Sequence, residues 1–145
     1  MKGIIWMALA VSVAGCSSNT GPEIDERLEG VLGAPQELTL TYGEEQSVGG
    51  SVLAVSFTRV VEDSRCPVDV VCVWAGNALV ELGIRMGMGP TFPLQLNTTL
   101  EPRFSDWNGI RVTLVELLPQ PREGDPPRPE GYTVRIRLEE ILSGS

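Results

Sequence analysis

The sequence predicts an all-β domain, an antiparallel β-sandwich or small barrel of about six to eight strands. From Gln36 onward, apolar and polar residues alternate in most segments, which is the period of strands with one buried face. Gly, Pro and Asn residues separate these segments, and helical spacing is confined to the residues before Pro35. The length suits one hydrophobic core, so we expect a single β domain over residues 36–142.

Each predicted strand has one face that we expect to be buried. In chain order, the residues sharing that face are Leu38, Leu40 and Tyr42; Leu53, Val55, Phe57 and Arg59; Ala78, Val80, Leu82 and Ile84; Phe92, Leu94 and Leu96; Ile110, Val112 and Leu114; and Tyr132, Val134, Ile136 and Leu138. After Leu114 the apolar positions change register. Five prolines in residues 119–131 exclude a helix or a central strand there. They predict a stiff crossover before the last strand.

The first fifteen residues have the features of an export signal. Lys2 gives a positive start, and residues 3–13 form an apolar run too short to cross a hydrocarbon core of about 30 Å. The run ends at Val13-Ala14-Gly15-Cys16, which resembles the lipobox of bacterial lipoproteins. The resemblance implies cleavage before Cys16 and attachment of acyl chains, such as palmitate, to its sulfur and its new amine. The alternative is an ordinary secretory leader that leaves the Cys16 thiol free.

Residues 16–35 are small, polar and acidic, which predicts a flexible tether with a reach of roughly 24 Å. Ile24, Leu28 and Leu32 have helical spacing, but the glycines among them make a helix marginal. We therefore expect a domain held at a membrane through a lipid on Cys16. In a Gram-negative cell, Ser17 after the cysteine favours the outer membrane.

The charge balance narrows the possible partners. Acidic residues number 19 against 11 basic ones, and the formal net charge is −8. Such a chain is repelled by nucleic acid and by anionic lipid, so membrane attachment must be covalent or apolar. The absence of histidine excludes most hydrolase triads and most zinc sites. We expect a non-catalytic protein without a cofactor.

Cys66 and Cys72 are the two cysteines left after the lipobox, and in an exported protein we expect them to form a disulfide bond. A loop of this size gains only about 2–2.5 kcal/mol from the bond. The bond therefore clips one loop and does not hold the whole fold together.

Four residues near the cysteines are candidates for a structural or recognition loop. Asp63 is placed to accept backbone N–H bonds in an Asx turn, and Arg65 lies within reach of Asp63 or Asp69. Trp74 is placed to lie across the disulfide bond. Gly76 and the asparagine after it predict a turn.

Other chemistries remain open as alternatives. A redox-active disulfide prefers a closer spacing of its cysteines. Copper would use Met86, Met88 and thiolates, although that segment also fits a hairpin turn. Calcium would use Glu62, Asp63 and Asp69, which lack a regular spacing. Nothing in the sequence nominates a carboxylate pair for glycoside hydrolysis.

Four stretches resemble a group of uncharacterised bacterial envelope domains, often lipoproteins, with a D-S-R-C-P…C-x-W-x-G-x-A signature. They are Asp63-Ser64-Arg65-Cys66-Pro67, Cys72-x-Trp74-Ala75-Gly76-Asn77-Ala78, Leu96-Asn97-Thr98 and Leu117-Leu118-Pro119-Gln120-Pro121. The resemblance spans residues 36–138 and implies no activity. We expect a binding, interaction or structural module. The alternatives are an inhibitor of an extracellular hydrolase such as lysozyme, whose basic charge would suit an acidic partner, and a metal-binding envelope protein.

Overall fold

The computed structural model describes residues 32–141, which form eight β-strands and one short 3-10 helix. The strands are β1 Gln36–Thr41, β2 Glu45–Ser47, β3 Leu53–Asp63, β4 Ala78–Met86, β5 Phe92–Asn97, β6 Phe104–Trp107, β7 Ile110–Leu118 and β8 Thr133–Glu140; the helix is Pro129–Gly131. The export signal, Cys16 and the first part of the expected tether lie outside the described residues. In the part of the chain that the structure describes, no helix is long and apolar enough to cross a membrane.

The strands form two four-stranded antiparallel sheets. One has the order β1-β8-β7-β6 and the other the order β2-β3-β4-β5. The sheets do not close on each other, so the domain is a β-sandwich and not a barrel. The sequence prediction of an antiparallel β-sandwich is confirmed, and its alternative, a small barrel, is not what forms.

The core lies between the sheets and contains most of the predicted inward faces. The largest side chains with almost no exposure are Phe57, Leu40, Leu53, Leu82, Ile84, Leu96, Ile110, Leu114, Leu117, Ile136, Leu138 and Val48. Alternation gave the correct inward face for β4, for β8 and for the first half of β7. The predicted register change after Leu114 is a β-bulge between Leu114 and Glu116.

Three details of the strands differ from the sequence prediction. Arg59 was assigned to the inner face of β3, but a bulge between Phe57 and Arg59 reverses the alternation, so Arg59 points outward and pairs with Glu81 at 3.1 Å. Tyr42 and Phe92 are partly exposed because each lies at the limit of its strand. The pattern also missed β2 and β6, which are too short to show a period of two.

The connections divide the domain into two ends, named here by what they carry. The loop end carries the connections β1–β2, β3–β4, β5–β6 and β7–β8. The Leu32 end carries both ends of the described chain and the three turns β2–β3, β4–β5 and β6–β7. One contact between the sheets lies at the Leu32 end: the rings of Phe92 on β5 and Trp107 on β6 are 5.7 Å apart. Within one sheet, the Ile141 N–H donates to the Gly109 oxygen at 2.8 Å, which joins the end of β8 to the β6–β7 turn.

Residues 119–131 connect β7 to β8, which are neighbours in one sheet. The predicted crossover is therefore wrong, because the segment is a long hairpin loop. A bridge between Arg122 and Asp125 and the 3-10 helix Pro129–Gly131 give it local structure. Leu32, which we expected in the tether, is buried in the core, and its N–H bonds Glu140 Oε1 at 2.8 Å.

Candidate functional site

The sequence stretches that carry the resemblance all meet at the loop end. The β3–β4 loop holds both cysteines and Trp74, and β5 and β7 deliver the other two stretches beside it. Three of the four connections at this end therefore contain parts of these stretches, and the four candidate residues predicted from the sequence all belong to the β3–β4 loop or the end of β3. The site consists of these loops and of the contacts that fix them.

Arg65 is the centre of the contacts that join the two sheets here. Its side chain is 6% exposed and forms two bonds with the Asp63 carboxylate, at 2.8 and 2.7 Å. The remaining guanidinium donors reach the backbone oxygens of Leu117 at 2.6 Å and Pro119 at 2.9 Å. A planar guanidinium presents several donors in fixed directions, so one side chain ties the end of β3 to the end of β7.

Tyr132, just before β8, completes this network. Its hydroxyl donates to Asp63 Oδ2 at 2.8 Å, and the Arg65 N–H bonds Asp63 Oδ1 at 3.2 Å, which is the predicted Asx turn. Burial alone would raise the pKa of Asp63, but the hydrogen bonds from Arg65 and Tyr132 outweigh it and lower that pKa. Burial, followed by the bond to Asp63, raises the pKa of Tyr132 to about 12. Asp63 is therefore a structural carboxylate.

Gly76 lets the base of the β3–β4 loop close tightly. Two backbone bonds extend the ladder beyond the strands, from Ser64 N–H to the Asn77 oxygen at 2.7 Å and from Cys66 N–H to the Ala75 oxygen at 2.8 Å. Gly76 has a φ of +70°, and a Cβ there would lie 1.9 Å from the Ser64 oxygen. Only glycine fits this position. The expected turn at Gly76 is instead a close pairing of two chain segments.

The tip of the loop is closed by the predicted disulfide and rests on the proline-rich loop. Cys66 and Cys72 are bonded, with Cα atoms 6.0 Å apart. The Val68 N–H bonds the Pro121 oxygen at 3.0 Å, and the Glu123 N–H bonds Asp69 Oδ1 at 2.9 Å. Asp69 thus fastens one loop to another. The sequence placed Arg65 within reach of Asp63 or Asp69, and in the structure Arg65 forms its ion pair with Asp63.

Asn77 holds the β5–β6 connection against the same loop. Its amide nitrogen donates to Asn97 Oδ1 at 2.7 Å, and its oxygen accepts the N–H groups of Thr99 at 3.1 Å and Leu100 at 3.2 Å. The Thr98 hydroxyl accepts the Ala78 N–H at 2.9 Å. These bonds set Leu100 opposite the segment that carries Trp74.

Trp74 is 82% exposed, so it does not pack across the disulfide bond as expected. With Leu100 it lines a mainly apolar groove of about 530 Å³. Val71 and Val73, on either side of Cys72, are fully exposed. Several large apolar side chains therefore project into solvent from a loop fixed by hydrogen bonds. Exposed apolar patches of this kind mark interaction sites.

A second, polar groove of about 410 Å³ adjoins the first across Ala75 and Thr99, which line both. Gln120 contributes to its lining, as do Glu116 and Arg135, which form an ion pair at 3.2 Å. An apolar groove beside a polar one can receive an apolar side chain and the hydrogen-bonding groups that flank it.

The structure does not gather the ligands of either metal alternative. Asp63 is bound by Arg65 and Tyr132, Asp69 accepts the Glu123 N–H, and the two carboxylates are not grouped with Glu62 into a site for calcium. Copper would need cysteine thiolates, and both are used in the disulfide bond. Within residues 32–141, no three His, Cys, Asp or Glu side chains are grouped to hold a metal ion.

Sequence reasoning missed Tyr132 as a partner of Asp63 and Asn77 as the organiser of the β5–β6 connection. Both contacts join residues far apart in the chain, so no local sequence pattern predicts them. The signal for Gly76 was present, since a glycine beside an asparagine indicates special backbone angles. Comparison with protein-family models, curated proteins and solved structures finds no significant match to this chain.

Proposed function

We propose that the protein is a lipid-anchored cell-envelope module that binds a partner protein through its loop end and catalyses no reaction. The observation that carries the proposal is the exposure of Trp74 beside Leu100, on a loop that is itself held firmly in place. Tryptophan is enriched at the centres of protein interfaces, where it loses its remaining contact with water.

The rigidity of the loop favours a recognition role. The disulfide bond, the Asp63–Arg65 pair and the Asn77 bonds fix the backbone before any partner arrives. A preorganised surface loses less conformational entropy on binding than a mobile loop does. The same bonds would serve a purely structural corner, but such a corner would bury Trp74.

The two adjoining grooves indicate the chemistry of the partner. The groove at Trp74 and Leu100 accepts an apolar side chain, and the groove at Gln120 and Arg135 offers donors and acceptors to the adjacent backbone. The partner is therefore a polypeptide segment with an apolar anchor and polar neighbours. We also propose kinship with the D-S-R-C-P envelope domains, supported by the meeting of the shared stretches at this end.

The anchor is the lipid on Cys16. A net charge of −8 gives no electrostatic attraction to anionic lipid, so a covalent lipid explains attachment better than surface charge. Two or more acyl chains give stable anchoring where one gives only weak binding. Cys16→Ser is expected to leave the precursor unprocessed or to release the protein into the soluble envelope fraction. A processed, leader-free variant chain that still cofractionates with membranes contradicts the anchor.

The binding surface is tested in cells with a photoreactive amino acid placed at Trp74. A discrete covalent adduct with one protein is expected, and it should disappear when Leu100→Asp is added. Glu37, an exposed residue on β1, is the control position and should give no such adduct. No adduct at Trp74, or the same adducts at both positions, contradicts binding through the loop end.

A second candidate is an inhibitor of an extracellular hydrolase such as lysozyme. The favouring observation is the disulfide-closed loop on which Val71 and Val73 are fully exposed, a shape suited to entering an enzyme cleft, together with a charge opposite to that of a basic target. Purified protein should slow lysozyme on peptidoglycan, and Val71→Asp should abolish the effect. Full lysozyme activity at saturating protein excludes this role.

A further inference from the structure

The Leu32 end carries no charge in its turns, which sets it apart in a strongly acidic protein. The β2–β3 turn at residues 48–52, the β4–β5 turn at 87–91 and the β6–β7 turn at 108–109 contain no charged residue, and neither does the entering segment 32–35. Every connection at the loop end contains at least one. Charged residues are thus absent from the turns of one end of the domain only, although Glu139 and Glu140 at the end of β8 lie nearby.

The same turns expose apolar and aromatic side chains. Met88 is fully exposed at the tip of the β4–β5 turn, and Val52 is largely exposed beside it. Phe92 is also exposed and contacts the partly buried Trp107. Phe92, Trp107 and the base of the β4–β5 turn line an apolar depression of about 230 Å³. We call this apolar area, with Val52 and Met88, the Met88 surface.

The Met88 surface is continuous with the point where the chain enters the domain. The Gly87 N–H bonds the Val52 oxygen at 2.8 Å, which joins the β4–β5 turn to the β2–β3 turn. The β6–β7 turn is joined through Gly109 to Ile141, one residue beyond Glu140, and Glu140 bonds Leu32. The chain that leads from Cys16 therefore enters the domain, at Leu32, on the side where the Met88 surface lies.

Three ion pairs lie on the strands beside these turns. Arg85, whose guanidinium also donates to the Gly87 oxygen in the β4–β5 turn, binds Glu45. Arg111 binds Asp106 at 2.7 Å, and Arg137 lies 3.9 Å from Glu139. Each pair is neutral as a whole, so these six side chains add no net charge that would repel a bilayer.

The length of chain before the domain brings this end to the membrane. Sixteen residues run from Cys16 to the residue before Leu32, and the tether that the sequence predicts there would reach roughly 20–24 Å. The chain rises about 27 Å from Tyr132, which precedes β8 at the loop end, to Glu140, the last residue of β8, near Leu32. The Leu32 end is therefore the nearer one to a lipid on Cys16.

We propose that the Met88 surface rests in the headgroup region of the bilayer, so that the domain stands on the membrane and presents its loop end away from it. This inference rests on the lipid anchor of the proposed function. Tryptophan and phenylalanine favour the membrane–water interface, where their apolar rings leave water. The loop end, with its charges and grooves, is then free for a partner.

The two tryptophans that follow Cys16 lie at opposite ends of the domain, which makes the orientation measurable. Full-length processed protein is reconstituted in phosphatidylethanolamine–phosphatidylglycerol vesicles with acyl chains brominated near the headgroup. Trp74→Phe leaves only Trp107, whose fluorescence should be strongly quenched. Trp107→Phe leaves only Trp74, whose fluorescence should not change.

Exposed substitutions at the two ends provide the matched control. In the Trp74→Phe protein, Met88→Asp should restore the Trp107 fluorescence, whereas Val71→Asp should leave the quenching unchanged; both sites are fully exposed, so neither change disturbs the core. Equal quenching of Trp74 and Trp107 overturns the orientation. Vesicle-bound protein with neither tryptophan quenched overturns the contact but keeps the anchor. Protein that remains off the vesicles contradicts the anchor and this inference together.

Discussion

Replacing Arg65 by methionine tests whether the buried ion pair holds the loop end. Methionine keeps much of the volume but removes four side-chain hydrogen bonds, two to Asp63 and two to the backbone oxygens of Leu117, near the end of β7, and Pro119, just after it. Removal leaves the Asp63 charge poorly compensated in a site where its side chain is 11% exposed. Breaking a buried pair from one side costs about 3–5 kcal/mol. That is a large part of the 5–15 kcal/mol that typically stabilises a domain.

The control is Arg59→Met on β3, the strand that leads into the loop carrying Arg65. Arg59 also donates two hydrogen bonds, from Nε and Nη2, to the carboxylate of Glu81, but its side chain is 57% exposed. Water and salt screen this pair, so we expect little change. Urea unfolding followed by circular dichroism measures both free energies of unfolding. Equal losses for Arg65→Met and Arg59→Met would refute the claim that burial gives the Asp63–Arg65 pair its importance.

Three further predictions concern the same end. Folding lowers the pKa of Asp63, so the stability that Asp63 contributes is complete above the ordinary value of 3.8 and is lost as pH falls through the folded pKa. Folding raises the pKa of Tyr132, so the stability that Tyr132 contributes is complete below 10.0 and is lost as pH rises towards about 12. Thermal unfolding should therefore show losses at both extremes, and Tyr132→Phe should remove the alkaline one. Gly76→Ala should lower the free energy of unfolding by at least about 2 kcal/mol, because the new Cβ meets a backbone oxygen. Gly124→Ala, at a similar φ but with open space around it, should lower that free energy less. Equal losses for the two variants in urea unfolding would contradict the close approach at Gly76. Cys66→Ser should lower the unfolding free energy by about 2–2.5 kcal/mol without abolishing folding. Failure to fold would show that the disulfide does more than clip one loop.

The fold class was predictable because burial of one sheet face leaves a period of two in the sequence. That period identified the inward residues of β4 and β8 and the register change in β7. It failed at Arg59, since a bulge reverses the alternation without changing composition. It also failed for β2 and β6, which have too few residues to display a pattern.

The candidate site was predictable only where its contacts are local. The Cys66–Cys72 bond and the Asx turn at Asp63 join residues a few positions apart and follow from spacing. The bond from Tyr132 to Asp63 joins residues 69 positions apart and depends on how the sheets stack. The exposure of Trp74 is likewise a tertiary outcome, because an aromatic residue beside a disulfide is compatible with either a buried or an exposed position.

Mass spectrometry of the N-terminal peptide from the membrane fraction tests the central claim, that a lipid on the first residue of the processed chain holds this domain in the envelope. The account predicts a peptide that begins at Cys16 and carries thioether-linked diacylglyceryl and an acylated amine. A peptide that begins elsewhere, or an unmodified Cys16, would contradict the anchor, the membrane contact of the Met88 surface and the placement of the loop end towards a partner in the envelope.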